Sequence, residues 1–378
     1  MGIMMRMGMM ALCLAAVLSG RGQTGGLVQK VDESQKVHRK TGGQVLKTTD
    51  STFFSSAEAV RVGEQLLLYQ RQTGGWPKNI DMAALLTDDE RRAVAAQQGR
   101  TDDSTIDNGA TTMQMVFLAR LYRHTGDARF RDAFGRALGY LLCGQYENGG
   151  WPQFWPNPRG YQRHITFNDD AMTNVLSLLR QVADGVAPFD GSLADETTRQ
   201  RARQAFCRGI DCILATQIVC DGRSTVWCQQ HDSATLKPAG ARSYELPSFC
   251  STESAAIVEL LMSLPSPDER IVRAVEGAMR WFDEHKITGF RLVRTPDTHL
   301  VADSLAEPLW ARFYDLQTGI PFFCDRDGVP RTCLEDVGQE RRNGYAWYGS
   351  RPLRLYGMYE RWRAAQSRGG LSQDRKSR

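Results

Sequence analysis

The sequence NGGWPQFWPNPRGYQRHITFNDDAM occupies residues 148–172 and joins two segments with helical apolar periodicity. It begins with a Gly-Gly-Trp-Pro turn and ends with Asn168, Asp169 and Asp170. Asn or Asp before an apolar periodic segment is typical of a helix N-cap, because the side chain accepts from free N–H groups of the first turn. One residue is enough for a cap. Three such residues beside several basic and aromatic residues indicate a site that binds a cation and an anion together. The alternative interpretation is a capped helix with a solvated loop.

The Gly-Gly-Trp turn is one copy of a repeat. Trp151 lies 75 positions after Trp76, and Trp227 lies 76 positions after Trp151. Apolar residues at helical spacing precede each turn and recur before the next one. The predicted helices are 57–69, 130–146 and 205–217 before the turns, 111–124, 171–182 and 254–264 after them, and 271–286 in a fourth, shorter copy. A period of this length with two helices per unit predicts helix pairs that bury their apolar faces on one another.

This repeat predicts an all-α fold, a toroid of repeated helix pairs with short β segments. Short extended segments are expected near 225–228 and 289–293. The turns at one end of such a ring converge, so their polar residues would line a cleft. We expect Trp76 and Trp227 to pack within the fold rather than to contact a ligand.

The composition is that of an ordinary globular protein. Of the 378 residues, 42% are hydrophobic and 24% are charged, and the net charge is +4. The basic residues are dispersed, which argues against a nucleic-acid partner. We predict a signal peptide over 1–22, a disordered linker over 23–50, a folded domain over 51–364 and a disordered tail over 365–378. No apolar stretch is long enough to span a membrane.

The signal peptide predicts export to the periplasm or the extracellular space, and we expect a monomer. Cys13 leaves an association with the outer membrane open. Eight further cysteines allow disulfides in an exported protein, and Cys220 with Cys228, or Cys324 with Cys333, could close short loops. The other interpretation is that most of these cysteines are small buried hydrophobic residues.

Three polar clusters lie just before the second helices of the repeat units. They are residues 105–111, 168–170 and 242–248. The repeat places them in equivalent positions, so we expect them to face one another. Oxygen donors from Asp107, Asn108 and Asp169 suit a hard cation such as calcium. Positive charge for an acidic polymeric ligand would come from Lys78, Arg159, Arg163, Lys237, Arg242 and Arg326.

Several segments resemble polysaccharide lyase family 10, the pectate lyases. They are GGWPKN at 74–79, DNGAT at 107–111, GGWPQ at 149–153, ITFNDDAM at 165–172, and WCQQHD with LKPAGARSYELPS between 227 and 248. FYDLQTG, PFFCDRDG and RRNGYAWYG, all after residue 312, fit the same family. The resemblance covers residues from about 50 to 362. It implies an (α/α)₃ toroid and calcium-assisted β-elimination on polygalacturonate, with 4,5-unsaturated oligogalacturonides as products.

The resemblance also implies roles for individual residues. Arg242 would be the catalytic base, and Asp107 a second catalytic carboxylate. Asp169, Asn108 and Asp107 would be calcium ligands, although Asp170 leaves this assignment open by one position. The residues that would bind substrate are Lys78, Asn79, Arg163, Lys237, Tyr244, Arg326 and Arg342.

An arginine base is unusual, because a guanidinium is protonated in water at nearly every pH. It needs a desolvated, cation-rich setting and alkaline conditions. Two other function classes stay open: an acidic-polysaccharide hydrolase on an α/α barrel, which would use Asp107 with Glu245 or Glu253, and a non-catalytic carbohydrate-binding toroid. Elimination gives a product that absorbs ultraviolet light, hydrolysis gives only reducing ends, and a binding module gives neither.

Overall fold

The computed structural model describes residues 42–374, and helices make up about half of them. The helices are α1 Gly42–Leu46, α2 Ala57–Tyr69, α3 Asp88–Ala95, α4 Thr112–Thr125, α5 Ala128–Cys143, α6 Ala171–Asp184, α7 Glu196–Thr216, α8 Ser251–Met262, α9 Glu269–Glu284, α10 Gln339–Gly344 and α11 Leu353–Asp374. The predicted signal peptide and most of the predicted linker lie outside the described residues.

The strands are short and form six antiparallel pairs within the described residues. They are β1 Ile165–Thr166, β2 Val219–Cys220, β3 Arg223–Ser224, β4 Gln230–His231, β5 Phe249–Cys250, β6 Phe290–Val293, β7 His299–Ala302, β8 Trp310–Ala311, β9 Phe313–Tyr314, β10 Phe323–Cys324, β11 Pro330–Arg331 and β12 Tyr348–Gly349. β6 matches the extended segment predicted at 289–293. The segment predicted at 225–228 continues from the end of β3, where Thr225 N–H donates to the Ile218 carbonyl at 2.9 Å.

The helices form two layers of paired elements. α4 packs with α5, α6 with α7, and α8 with α9. The first members of the pairs also contact one another, α4 with α6 and α6 with α8, and so do the second members, α5 with α7 and α7 with α9. α2 contacts both α4 and α5, and α11 contacts α8. The predicted fold class, an all-α toroid of helix pairs with short β segments, is confirmed.

Helices occupy parts of the two ranges that were predicted to be a disordered linker and a disordered tail. α1 lies inside the range predicted as linker, because Val45 and Leu46 are buried in the main hydrophobic core. α11 continues to Asp374, well into the range predicted as tail. Trp362 is buried, and the Arg-Ala-Ala-Gln sequence after it favours helix.

The cysteines of the described residues are all free, so the disulfides that the sequence allows are not formed. Cys212, Cys228, Cys250 and Cys324 are buried, which agrees with their interpretation as small hydrophobic residues.

The same hydrogen bonds join each repeated turn to the preceding helix and to a helix of the next unit. The indole N–H donates to a carbonyl near the end of the preceding helix: Trp76 to Leu66 at 2.8 Å, Trp151 to Leu141 at 2.7 Å and Trp227 to Ile213 at 2.7 Å. A glutamine then donates both to the turn and to the corresponding helix of the next unit: Gln70 to Gly74 and Ala133, Gln145 to Gly149 and Ala205, Gln217 to Thr225 and Ala274. Trp76 and Trp227 are fully buried, as expected for packing residues. Trp310 donates to the Phe282 carbonyl in a fourth copy of the indole contact.

Substituting Gly149 with alanine tests how tightly these turns pack. Gly149 has φ of +89°, and a Cβ there would meet the Arg208 carbonyl oxygen at 2.0 Å. We expect Gly149→Ala to lower the free energy of unfolding by about 2–4 kcal/mol, through backbone strain and overpacking. The control is Gly139→Ala in α5, where a Cβ has no neighbour within 4 Å. That change should stabilise by up to about 1 kcal/mol, and equal denaturation midpoints for the two variants would contradict the tight packing.

Candidate active site

Two of the three predicted clusters form matching 3₁₀ turns that contact each other. The turns are Asp107–Gly109, near the start of α4, and Asn168–Asp170, directly before α6. At the centre of each turn, Asn108 and Asp169 have φ of +52° and +50°. A non-glycine residue in this region costs about 1–3 kcal/mol and tends to occur at functional sites. The repeat therefore places two strained polar residues side by side, as the sequence predicted.

Asp107 is a buried carboxylate with one oxygen unpaired. Its side chain is only 2% exposed, and Oδ2 accepts an ion-pair hydrogen bond from Lys78. Oδ1 is buried and has no hydrogen-bond partner among the described residues. A buried carboxylate oxygen without a partner is costly, so this atom is suited to accept a cation or a donor from a ligand.

Asp169 lies where negative charge accumulates. Partial loss of hydration raises the pKa of its carboxyl group, Arg312 opposes this effect, and Glu253 and Asp107 add to it. Its side chain remains 44% exposed, and Oδ2 accepts a hydrogen bond of 2.9 Å from Asn168. The two turns that carry Asp107 and Asp169 contact each other, and a cation between the two carboxylates would relieve their repulsion.

Arg312 and Glu253 form a buried ion pair behind Asp169. Nη2 of Arg312 donates to Glu253 and, at 3.1 Å, to Oδ1 of Asn168, and it lies 3.9 Å from Oδ1 of Asp169. Arg312 was missed as a site residue, and the only sequence signal was a charge within the aromatic segment WARFY. Glu253, a candidate for the hydrolase alternative, is 1% exposed and bound to this arginine, so it does not face an open cleft.

The third cluster is built around an ion pair between Arg242 and Glu245. Nε of Arg242 donates to Oε2 of Glu245 at 2.7 Å, and Nη2 donates to Oε1. The hydroxyl of Tyr345 also donates to Oε1, at 2.8 Å. Burial would raise the pKa of Glu245, but the hydrogen bonds and charge of Arg242 lower it below the usual value. An ionised Glu245 cannot serve as the general acid of a hydrolase.

The ring of Tyr244 is stacked against arginine side chains and offers no free face to a ligand. Its ring is 3% exposed. The guanidinium carbons of Arg242 and Arg341 lie 4.9 Å from the ring centroid, and that of Arg326 lies 6.0 Å away. Tyr244 was predicted to bind substrate, and this burial means that it can act only through the cations stacked on it. The result is a concentration of positive charge beside Arg242.

Tyr345, which was not predicted as a site residue, connects the clusters. Its ring lies 5.4 Å from that of Tyr244 and within 4.9 Å of the Arg312 guanidinium. Tyr161, in the 3₁₀ turn at 160–163, provides a second connection. Burial raises the pKa of Tyr161, and Arg242 and Asp107 are both close enough to affect it. The three clusters predicted to face one another are therefore brought together.

The other predicted residues occupy several environments. Asn79 accepts a hydrogen bond of 3.0 Å from Nδ2 of Asn108, beside the cation donors. Four of the predicted basic residues are exposed: Lys237, Arg159, which lies 3.6 Å from Asp102, Arg163, which donates to the Gly160 carbonyl, and Arg326, which is paired with Glu340.

Arg342 does not join the arginine cluster. It pairs with Asp297 and donates to the Glu335 carbonyl, whereas its neighbour Arg341 stacks on Tyr244. Both residues lie in α10, where successive side chains point about 100° apart, so one position decides which arginine faces the cluster. Arg341 therefore faces Tyr244 and Arg342 faces Asp297, and substrate binding by Arg342 stays a prediction.

A cavity of about 460 Å³ opens beside the two 3₁₀ turns. Asn108, Asp169 and Asp170 line one part of it, and polar and apolar residues of α4, α6 and the end of α1 line the rest. Asp170 is bound by both Nη atoms of Arg351, at 2.6 and 2.8 Å. No cluster of three or more His, Cys, Asp or Glu side chains within residues 42–374 could hold a metal unaided.

Comparison with known proteins shows what this arrangement is similar to. Residues 70–356 match the family described as pectic acid lyase. Two solved structures are similar to the chain: the family 10 polysaccharide lyase from Cellvibrio cellulosa, and a mutant of that enzyme in complex with trigalacturonic acid. Each has 33% sequence identity and a TM-score of 0.74 and covers 82% of this chain, with 94% and 95% of their own chains matched. No curated protein matches the chain.

Proposed function

The chain belongs to the pectic acid lyases of polysaccharide lyase family 10 and is a pectate lyase, and on this premise we propose that it cleaves polygalacturonate by calcium-assisted anti-β-elimination. The products would be 4,5-unsaturated oligogalacturonides. The complex of its relative with trigalacturonic acid supports an oligogalacturonide as the ligand. The observation that carries the proposal is the convergence of two close carboxylates with a cluster of lysine and arginine side chains.

The donor atoms beside α4 and α6 suit calcium. Asp107 has a buried oxygen without a partner, and the pKa of Asp169 is raised by burial and, in part, by nearby carboxylates. Because Nδ2 of Asn108 donates to Asn79, its Oδ1 is directed to other partners. Carboxylate and amide oxygens are the ligands that calcium prefers. Two carboxylates do not complete a calcium shell, so the uronate carboxylate and water would supply the remaining ligands.

The chain's own groups can perform the elimination. When bound, calcium would neutralise the substrate carboxylate and so stabilise the enolate-like charge that forms as C5–H breaks. Arg242, as neutral guanidine, takes the proton from C5. The C–H electron pair becomes the C4–C5 double bond, the C4–O bond breaks and leaves its electrons on the departing oxygen, and that oxygen takes a proton from water. Lys78, beside Asp107, adds positive charge where the carboxylate binds.

The remaining cations would hold neighbouring uronates along the cleft. We assign this role to Arg163, Lys237, Arg326 and Arg341, with Tyr244 supporting two of the arginines and Asn79 beside the cation donors. The structure supports elimination over hydrolysis, because Glu245 and Glu253 are each held by an arginine. Neither carboxyl group can donate a proton to a glycosidic oxygen while it is paired in this way.

Removal of calcium tests the cofactor. We expect a chelator to abolish the rise in ultraviolet absorbance on polygalacturonate at alkaline pH, and added Ca²⁺ to restore it. Mg²⁺ should restore much less, because it is smaller and needs stricter octahedral geometry. Full activity in the presence of chelator would contradict the calcium proposal. Reducing ends without absorbance would instead establish a hydrolase.

We also propose that the protein is exported and acts as a monomer. The leader pattern of residues 1–22 supports export. Among the helices of residues 42–374, none has the length and apolar character to cross a membrane. Sequencing the mature N-terminus of protein recovered from the periplasm and the medium tests the cleavage, and light scattering tests the monomer.

A further inference from the structure

We propose that Glu245 is a positioning residue that orients Arg242 for proton transfer, and that Tyr345 fixes Glu245 in turn. This inference rests on the proposed function, in which Arg242 is the base. It goes beyond that function because it assigns a task to a buried carboxylate and a phenol that do not touch the substrate. The arrangement follows a general pattern for an activated catalytic group, in which a base is oriented by a third residue.

The hydrogen bonds select which edge of the guanidinium faces the cleft. Glu245 occupies the edge formed by Nε and Nη2 of Arg242 and also accepts from its backbone N–H at 3.1 Å. Nη1 has no hydrogen-bond partner within the described part of the chain, and the Arg242 side chain is 44% exposed. Glu245 itself is 2% exposed. The buried carboxylate of Glu245 thus binds two nitrogens of the guanidinium, Nε and Nη2, and leaves Nη1 for a ligand.

Tyr345 fixes the position of the Glu245 carboxylate. Its hydroxyl donates to Oε1 of Glu245 at 2.8 Å, and its ring lies 5.7 Å from the Arg242 guanidinium and 4.9 Å from that of Arg312. Arg312 in turn lies 3.9 Å from Asp169. Tyr345 therefore links the base to the carboxylate turns on which calcium would bind, so that both halves of the reaction share one rigid support.

The charge of Glu245 also acts on the proton transfer itself. As Arg242 takes the C5 proton it becomes a cation, and a buried carboxylate beside it stabilises that developing charge. The same carboxylate also lowers the fraction of Arg242 that is neutral before the reaction. Its hydrogen bonds raise the pKa of Arg242 well above the ordinary value, although burial opposes this shift. Loss of the charge should therefore lower the pH at which Arg242 becomes neutral.

Other charged or titratable groups surround Arg242 and must be counted in any pH profile. They are Tyr244 and Glu245 from its own turn, Tyr345 and Arg341 from the C-terminal segment, and Tyr161 from the turn at 160–163. Arg341 is a cation and makes the neutral form of Arg242 more favourable. Glu245 is the only carboxylate among these five groups, so its removal should dominate the shift.

The test is the pH profile of polygalacturonate cleavage by the full-length enzyme with saturating calcium. We expect Glu245→Gln to lower kcat at least about tenfold at the wild-type optimum, with KM within about twofold. The pH of half-maximal kcat should fall by at least about one unit, because a neutral amide no longer stabilises the guanidinium. Thermal unfolding of each variant establishes that it is folded.

Two further variants separate the positioning of Arg242 by Glu245 from the general effect of removing a carboxylate from the arginine cluster. Tyr345→Phe keeps the ring between Arg242 and Arg312 and removes only the hydroxyl, and it should lower kcat at least about threefold without changing KM. Glu340→Gln is the matched control. It removes a carboxylate from the same arginine cluster, paired with Arg326 and Arg341 but not with Arg242. It should change KM and leave the pH of half-maximal kcat in place.

The outcomes distinguish this inference from the proposed function. Wild-type kcat and pH profile in folded Glu245→Gln would overturn the inference while the lyase assignment stands. If that variant does not fold, wild-type kcat in Tyr345→Phe overturns it. A wild-type enzyme that releases no ultraviolet-absorbing product, or an Arg242→Ala variant as active as wild type, would instead overturn the proposed function.

Discussion

Replacing Arg242 with lysine or alanine is expected to lower kcat for polygalacturonate cleavage about 10²–10⁴-fold, the range that a general base contributes. Lysine keeps the positive charge but not the fork that Glu245 holds, so both changes should be severe. The initial rate of rise in ultraviolet absorbance measures the effect. Retained kcat with a raised KM would show that Arg242 binds the substrate and that another group is the base.

The control for this prediction is Arg180→Ala. Arg180 is a partly exposed arginine in α6 whose hydrogen bonds go to the carbonyl and the hydroxyl of Ser263. It contacts none of the three clusters, and a surface substitution of this kind usually changes stability by no more than about 0.5 kcal/mol. Its kcat and KM should match those of the wild type. A comparable loss in this variant would mean that net charge rather than position is responsible.

Replacing Asp169 with asparagine is expected to lower kcat/KM at least about 10²-fold and to raise the half-saturating calcium concentration at least about tenfold. The amide keeps the shape and one oxygen donor but removes the charge that favours a divalent cation. Because calcium held by Asp169 would supply the charge that neutralises the substrate carboxylate, weaker metal binding would also weaken stabilisation of the transition state. Rates measured over a calcium titration report both effects.

Asp170→Asn is the matched control, and it decides which of the two adjacent aspartates is the ligand. The paired contact with Arg351 ties up both carboxylate oxygens of Asp170. Its substitution should lower stability, because it breaks a partly buried ion pair, and should leave the calcium requirement near that of the wild type. A raised calcium requirement in Asp170→Asn alone would identify Asp170, rather than Asp169, as the calcium ligand.

The helices and turns were predictable because they depend on neighbouring residues. α2 occupies the predicted range 57–69, and the other predicted helices match to within a few residues, except that α7 begins nine positions earlier; α11 was not predicted. The Gly-Gly-Trp turns end these helices through local backbone geometry. The place of the polar clusters just before the second helix of each repeat unit was enough to predict that Asp107 and Asn108 face Asp169, although Asn108 and Asp169 are 61 positions apart rather than 75.

The residues that support the site were not predictable, because their contacts join distant parts of the chain. Arg312 meets Asn168 across 144 positions, and Tyr345 meets Glu245 across 100. No periodic pattern marks either of them. The pairing of Arg242 with Glu245 spans only three positions, yet Glu245 is itself held by the hydroxyl of the distant Tyr345.

The sequence by itself therefore determined the helix pairs, the turns between them and the polar residues that those turns carry, since each depends on local periodicity, capping and turn chemistry. The tertiary structure alone decided which groups meet. Packing buries Tyr244 under three arginines, turns Arg341 rather than Arg342 toward that ring, and pairs Glu245 and Glu253 each with an arginine. These outcomes depend on distances across the folded ring, where desolvation sets the strength of every charge interaction.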